Sequence, residues 1–258
     1  MTMQPPASSS SVTPGRPDFE AEARRMFDVL IEGGVAIVRT GFSYGIMSSS
    51  KAGVERINQA KKRASHKRQG MALNYEMSRE IHVLESWKQD MIDCAVLDYK
   101  LPLGIVATFR TDHPFIQKVE PDLLKLCTAR GQLATVLNPG GPTREAVTAL
   151  SREHQVPLMG SSANLTGTGV KHRISDIQDE VLECADLIVD QGIPEYHMYN
   201  SAGTLIDWDT MQVIRFGACY ELLADVFERH FGWTLPPDPG RVANPSGHVD
   251  EFLLQNAE

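Results

Sequence analysis

The chain has 258 residues, of which 42% are hydrophobic and 22% charged, and its formal net charge is −8 at pH 7. This length suffices for a substantial core in one large domain or two small ones. The acidic balance argues against a generally basic nucleic-acid-binding surface, and no apolar run approaches the length of a membrane span or of a signal-peptide core. The four cysteines, Cys94, Cys127, Cys184 and Cys219, lack zinc-ligand spacing, so we expect reduced thiols in a cytoplasmic protein.

The predicted elements follow a Pro- and Ser-rich segment, residues 1–17, that we expect to be disordered. Apolar periodicity predicts helices at 18–32, 51–64, 78–94, 144–154, 175–184 and 219–231. Short apolar runs predict strands at 35–38, 71–75, 104–109, 133–137, 157–160, 186–190, 204–208 and 212–216. This alternation indicates one α/β domain over about 18–232, with a mixed sheet because the last two strands are so close. Residues 233–258 are expected to form a tail that packs little.

The segment GSSANLTGTG, residues 160–169, follows a short apolar run. Its hydroxyl, amide and backbone N–H groups are poorly suited to continue a core and well suited to hold a polar ligand. One interpretation is a polar turn of the Asx type after a strand. The other is a cradle for a nucleotide or phosphate.

A basic cluster, KKRASHKR, occupies residues 61–68. Taken alone, the cluster is equally consistent with a solvated charged face and with a phosphate site, where each cation adds a charge-assisted hydrogen bond. The segments RTGFSYG (39–45) and AGTLIDWDTMQVIRFG (202–217) also carry glycines that let a backbone approach a ligand. Their simpler interpretations are a plain connection and an edge strand whose Arg215 reaches solvent.

In their order and spacing, GGVAIVRTGFSYG, KKRASHK, SSANLTG and GTLID…IRFG resemble the YrdC-type threonylcarbamoyl-AMP synthase family over about residues 22–220. The SANxSG-like stretch is the most specific of these motifs. The resemblance implies a twisted mixed sheet flanked by helices, with a basic concave face and a nucleotide site at the end of a strand. It implies catalytic roles for Lys61 and Arg63 at the phosphates of ATP. It also implies anion binding by the residues Lys67, Ser162, Asn164, Thr166 and Arg215.

The part of the family pattern that helps to bind threonine is altered here. The matching pocket residues are Thr40, Phe42, Tyr44, Gly104 and Thr204. Phe42 and Gly104 stand where the family has hydroxyl groups, Gly203 stands in place of a serine, and Leu137 in place of an arginine. A small zwitterion needs hydrogen-bonding groups around it, because unpaired polar groups on a buried ligand are costly.

Three functions are therefore compatible with the sequence. The first is the family's chemistry, in which ATP, bicarbonate and an amino acid give an adenylated carbamate and pyrophosphate, with Mg²⁺ bridging the phosphates. The second is a repurposed enzyme of a specialised biosynthetic pathway, which acts on a larger apolar carboxylate or enolate without ATP. The third is a double-stranded RNA-binding module that uses the basic concavity. The expected partner is a small-molecule substrate, and neither a protein-bound metal nor a membrane is expected.

Overall fold

A computed structural model of the chain describes residues 15–63, 68–137, 141–244 and 247–249, and its strands form two five-stranded sheets. Sheet 1 contains β1 (Val35–Arg39), β2 (Tyr44–Ser48), β3 (Gly70–Met71), β7 (Met159–Ser162) and β8 (Leu187–Val189), in the order β3-β7-β2-β1-β8. Sheet 2 contains β4 (Leu103–Thr108), β5 (Thr128–Ala129), β6 (Gln132–Leu137), β9 (Leu205–Asp207) and β10 (Gln212–Arg215), in the order β10-β9-β4-β6-β5.

The helices are α1 (Phe19–Ile31), α2 (Lys51–Ala60), α3 (Tyr75–Ile81), α4 (Ser86–Asp93), α5 (Pro114–Gln117), α6 (Pro121–Cys127), α7 (Pro142–His154), α8 (Asp179–Glu183), α9 (Tyr220–Phe231) and α10 (Gly240–Ala243). A π-helical turn, Cys94–Asp98, continues α4, and single 3₁₀ turns cover Ile174–Asp176 and His197–Tyr199. Helix α1 begins at Asp18, whose carboxylate accepts the Ala21 N–H at 2.9 Å. No helix of the described residues has the length and apolarity needed to cross a bilayer.

Both sheets are mixed, which confirms the predicted α/β class. Strand β1 is antiparallel to β2 and parallel to β8, while β4 is antiparallel to β6 and parallel to β9. The sequence predicted one sheet, whereas the strands divide into two. The sheets approach each other beside β3, where the Leu73 N–H donates to Thr135 Oγ1 at 3.4 Å.

Helices cover each sheet, and a shared cluster that includes Met71, Met159 and Leu133 joins the two sheets. Helices α1 and α7 cover sheet 1 with Met26, Leu30 and Val147. On sheet 2, Trp208 packs edge-to-face on Phe227 of α9, with ring centroids 6.0 Å apart. The rigid strands of both sheets can therefore position the loops that connect them.

The local assignments differ from the prediction where capping overrides apolar patterning. The predicted strand 71–75 is short because the Asn74 side chain accepts the Met77 N–H and begins α3. The predicted helix 78–94 is two helices, because His82 takes an extended conformation and bridges to Phe109. Helix α2 ends at Ala60 rather than at 64, and α8 is shorter than predicted. Strands β2 and β5 and helices α5 and α6 were not predicted.

The described part of the C-terminal segment packs closely, unlike the expected tail. Trp233 lies on Trp208 and Phe227, with ring centroids 6.0 and 5.4 Å apart. Leu235 is buried in the same core, and the Tyr220 hydroxyl donates to the Pro236 carbonyl. The beginning of this segment is therefore held in place by packing and a hydrogen bond, although it is rich in proline. Residues 1–14, and with them most of the predicted disordered tail, lie outside the described residues.

Candidate nucleotide site

The candidate site is built on the loop that follows β7, here called the polar loop, residues 162–166. Ser162 pairs with Gly45 of β2, and the next N–H, from Ala163, donates to the Tyr44 carbonyl at 2.8 Å. On its other side, Thr166 donates its N–H to the Lys61 carbonyl at 3.0 Å. The loop is thus fixed between a strand of sheet 1 and the end of α2.

The Lys61 side chain lies directly beneath the polar loop. Lys61 is only 1% exposed, and its ammonium group donates to the carbonyls of Ser162 and, at 2.6 Å, of Asn164. Burial, together with the nearby Arg63 guanidinium, lowers the pKa of Lys61 to about 7. The carbonyl acceptors oppose this shift because they favour the charged ammonium. The structure therefore brings Lys61, Ser162 and Asn164 together, with Lys61 supporting the loop.

Two guanidinium groups lie in the same electrostatic environment. Arg63 follows Lys61 and donates to the Arg68 carbonyl at 2.5 Å. Arg215, at the end of β10, donates its Nε to the Gly203 carbonyl at 2.9 Å. Burial lowers the pKa of Arg215 to about 10, and the positive charges of Arg241 and Arg63 add to the effect. The positive charge of Arg63 therefore lowers the pKa values of both Lys61 and Arg215.

The polar loop contains buried polar atoms without protein partners. Asn164 Oδ1 and Thr166 Oγ1 are inaccessible to solvent and have no hydrogen-bond partner among the described residues. The Ser161 hydroxyl is also buried and has no hydrogen-bond partner among the described residues. Leaving such a group unpaired costs about 1–3 kcal/mol, so native proteins rarely do it without a reason. A polar ligand would supply the missing partners only if the loop shifted to expose these atoms, since solvent does not reach them here.

The hydroxyls predicted for the substrate pocket are already used within the protein. Thr40 donates to the Ser43 carbonyl at 2.7 Å and closes the turn between β1 and β2. Thr204 donates to the Ala218 carbonyl at 3.1 Å. The Tyr44 hydroxyl donates to Asp190 at 2.8 Å, and burial raises the pKa of Tyr44. In this arrangement these groups stabilise the turn and the sheets.

Phe42 and Gly203 fit each other. The Phe42 ring is 7% exposed, and a Cβ atom on Gly203 would lie 3.1 Å from ring Cε1 and 3.4 Å from Val136 Cγ1. The ring therefore fills space that a serine side chain at position 203 would need. Position 104 requires glycine for a different reason. A Cβ atom added there would lie 2.7 Å from the Thr204 carbonyl oxygen, which belongs to the neighbouring chain segment.

One buried arginine, Arg144, belongs to none of the motifs found in the sequence. Arg144 of α7 donates to the Val136 carbonyl at 2.8 Å and pairs with Glu145 at 3.0 Å. Its guanidinium therefore lies beside Leu137, where the family pattern has an arginine. Burial raises the pKa of Glu145 despite this cation. The contact spans only eight residues, across the short connection between β6 and α7, but no motif in that connection marks it.

Other features of the prediction lie away from these atoms. Lys67 is outside the described residues. Two surface cavities, of about 490 and 480 Å³, contain none of the predicted site residues in their lining. Polar groups of the loop mark the site more clearly than either cavity, because they combine burial, charge and missing partners. The described residues contain no cluster of three side chains able to hold a metal ion.

The Sua5/YciO/YrdC family model, described as telomere recombination, matches residues 28–217. The chain belongs to this family. Among curated proteins, none matches the sequence. The family match spans both sheets and all the described segments that carry the predicted site.

Solved structures show the same fold at low sequence identity. Sua5 of P. abyssi, complexed with L-threonine, is 17% identical with a TM-score of 0.63, and the match covers 87% of this chain and 61% of that one. E. coli YciO is 16% identical with a TM-score of 0.58, covering 79% and 92%. Full-length HypF in a phosphate- and nucleotide-bound form is 13% identical with a TM-score of 0.55, covering 80% and 25%. This chain thus spans about three fifths of the Sua5 structure's length.

Proposed function

We propose that this protein is an ATP-dependent adenylating enzyme of the YrdC type whose acceptor is a small acid or carbamate other than threonine. The observation that carries the proposal is the polar loop, where Asn164 Oδ1 and Thr166 Oγ1 are buried above Lys61 and find no partner in the part of the chain that the structure describes. Arg63 and Arg215 add positive charge beside it. The nucleotide- and phosphate-bound form of the related HypF fold supports a nucleotide as the ligand.

In this reaction, an oxygen of the acceptor attacks the α-phosphorus of ATP, and the bond to pyrophosphate breaks. Arg63 and Arg215 stabilise the charge that develops on the phosphate oxygens, since preorganised cations are most effective in a water-poor site. Lys61 holds the polar loop and contributes to the field. Mg²⁺ would add further charge neutralisation at the phosphates when bound with the nucleotide.

The acceptor assignment rests on Phe42. Its buried ring, fitted against Gly203, leaves little polar surface where the family pattern has hydroxyl groups. A site that lacks partners for a small polar ligand discriminates for it weakly. L-threonine, bound by the Sua5 relative, is therefore not the expected acceptor here.

The buried Phe42 ring also favours a second candidate, a repurposed enzyme that acts on an apolar carboxylate or enolate without ATP. Arg144, at the end of β6, would then hold the carboxylate. RNA binding is a weaker proposal. Its support is the surface cavity lined by Arg68, Lys125 and Arg130, which is a small footprint for a duplex. The free cysteines support a cytoplasmic location.

Calorimetric titration of the full chain with ATP tests the proposal. Arg63→Gln should weaken ATP binding by about 10- to 100-fold, the equivalent of about 1.5–3 kcal/mol for a hydrogen bond to a charged group. Arg229→Gln is the matched control, because Arg229 is exposed and pairs only with Asp225 on α9. An absence of ATP binding in the wild-type protein would reject the proposal in favour of the ATP-free candidate.

A further inference from the structure

The C-terminal strap, residues 233–244 and 247–249, returns to the candidate site. Trp233 and Leu235 anchor its beginning in the core of sheet 2. At its end, the Phe216 N–H donates to the Gly247 carbonyl at 2.9 Å, and His248 forms an antiparallel bridge with Arg215. The strap therefore extends sheet 2 at the edge strand that carries Arg215.

This pairing gathers basic side chains around Gly247. Arg241 donates its Nη2 to the Phe216 carbonyl at 2.8 Å. A Cβ atom on Gly247 would lie 2.4 Å from Arg241 Nη1 and 3.4 Å from Arg215 Cγ, so both side chains flank this glycine. His248 Nε2 lies 3.5 Å from Arg215 Nη1.

Among the described residues, neither Arg215 nor Arg241 forms an ion pair with a carboxylate, and each is bonded to a backbone carbonyl instead. The positive charge of Arg241 repels that of Arg215, and burial weakens the hydration of Arg215. The pKa of Arg215 is accordingly lowered, with Arg241 as the largest contribution after burial.

A simpler interpretation is that Arg241 only caps the Phe216 carbonyl. A neutral amide could accept that role without repelling Arg215. An arginine adds two things that an anion uses, a permanent charge and a planar set of donors suited to phosphate oxygens. The positive charge of Arg63 also acts on Arg215, which is one of the residues that the family resemblance assigns to anion binding.

We propose that Arg241 and His248 of the C-terminal strap complete, with Arg215, a binding site for a polyphosphate group. The inference rests on the proposed function in taking the β- and γ-phosphates of ATP, and the pyrophosphate they become, as the natural occupant. It adds to that function two residues outside the segment that the family model matches, which ends at residue 217.

The test is titration of the full-length protein with inorganic pyrophosphate and, separately, with AMP. Arg241→Gln should weaken pyrophosphate binding tenfold or more and change AMP binding less than twofold, because AMP lacks the polyphosphate. His248→Ala should weaken pyrophosphate binding by a smaller factor. Arg229→Gln, which alters an exposed pair on α9, should leave both affinities unchanged.

Thermal unfolding without ligand separates binding from a merely structural role. Arg241→Gln should keep or raise the midpoint while it loses pyrophosphate affinity, because its amide can still cap the Phe216 carbonyl and the repulsive charge is gone. A merely structural cap predicts instead that Arg241→Gln leaves pyrophosphate affinity unchanged. Arg241→Lys, which keeps the charge and loses the planar donors, should bind pyrophosphate with intermediate affinity. Equal pyrophosphate affinity in wild type and Arg241→Gln, or no pyrophosphate binding by the wild type, would overturn the inference.

The two proposals fail in different ways. If ATP binds and Arg241→Gln binds pyrophosphate as tightly as the wild type, the strap has no part in the site and the proposed function stands. If pyrophosphate binding depends on Arg241 while neither ATP nor AMP binds, the strap site is real and the nucleotide function is wrong.

Discussion

The contact between Phe42 and Gly203 predicts a strong energetic coupling. In Gly203→Ala, the new Cβ would lie 3.1 and 3.3 Å from two ring carbons of Phe42, which is closer than ordinary van der Waals contact. Overpacking of this kind costs about 1–3 kcal/mol. Replacing the ring, as in Phe42→Ala, removes buried apolar surface and leaves a cavity, which costs about 3–5 kcal/mol.

The double variant should be more stable than the sum of the two changes predicts. Without the ring, the atom nearest to the new Cβ at position 203 is Val136 Cγ1, at an ordinary distance of 3.4 Å. Gly203 does not have a positive φ, so alanine is tolerated there. Gly203→Ala should then be neutral or stabilising by about 0.4–1 kcal/mol through the unfolded chain. We therefore expect a coupling free energy of about 1–3 kcal/mol, consistent with residues in contact.

Urea unfolding of the four proteins at one pH measures this cycle, with unchanged m-values as the check that the folded and unfolded states are comparable. If Gly203→Ala has the same cost in both backgrounds within about 0.5 kcal/mol, the two sites are independent. The claim that Phe42 fills the space of a side chain at 203 would then be refuted.

Three further predictions concern charge and substrate. The pKa of Lys61 is lowered from 10.5 to about 7, so the unfolded chain binds more protons between these values and stability rises with pH. The free energy of unfolding of the wild type relative to Lys61→Met should thus rise by about 1–2 kcal/mol from pH 7 to 9 in urea titrations. Arg144→Met should destabilise the protein by about 1–3 kcal/mol at pH 7, because it leaves the half-buried Glu145 carboxylate without its cation and the Val136 carbonyl without its donor. Its cost should fall at pH 4.5, since burial raises the pKa of Glu145 and protonation removes that charge. Pyrophosphate release from ATP with threonine and bicarbonate should be low or absent, and Phe42→Thr alone should not restore it.

Each of these has a distinct contrary result. A pH-independent difference between wild type and Lys61→Met would mean that the ammonium keeps its ordinary pKa in the folded state. Adding Glu145→Gln to Arg144→Met should recover much of the lost stability, and no recovery would contradict the ion-pair explanation. Rapid threonine-dependent turnover would show that the acceptor is the one the family resemblance implies.

Local motifs allowed much of the site to be predicted, because they combine residue type with a fixed position after a strand or helix. The approach of Lys61 to Ser162 follows from SSANLTG and KKR falling in family order, and the hydrogen bonds place them together. The strand Tyr44–Ser48 was missed because Gly45 and the serines give it a weak strand signal. Its pairing with β1 and β7 supplies the stability that propensity does not.

The contributions of Arg144 and Arg241 were not predictable from sequence for a different reason. Arg144 bonds the Val136 carbonyl across the short connection between β6 and α7, and no residue pattern marks that contact. Arg241 meets Phe216 only after the strap has folded back. Composition misled in the second case, since PPDPGRVANPSG resembles a flexible tail. Its described residues instead include the short helix α10, and Arg241 is held by the Phe216 carbonyl.

Gly203 contacts both the Phe42 ring and Arg215, so it connects the proposed acceptor pocket with the proposed phosphate site. Its α-carbon faces the Phe42 ring, and its carbonyl accepts the Arg215 Nε at 2.9 Å. A side chain at 203 that pushed against the ring would move this backbone, and Arg215 would move with it. A large residue at position 42 is therefore compatible with a well-placed Arg215 only if position 203 stays small. Restoring a polar acceptor pocket would accordingly require changes at 42 and 203 together, because a change at 203 alone would disturb the polyphosphate side of the site.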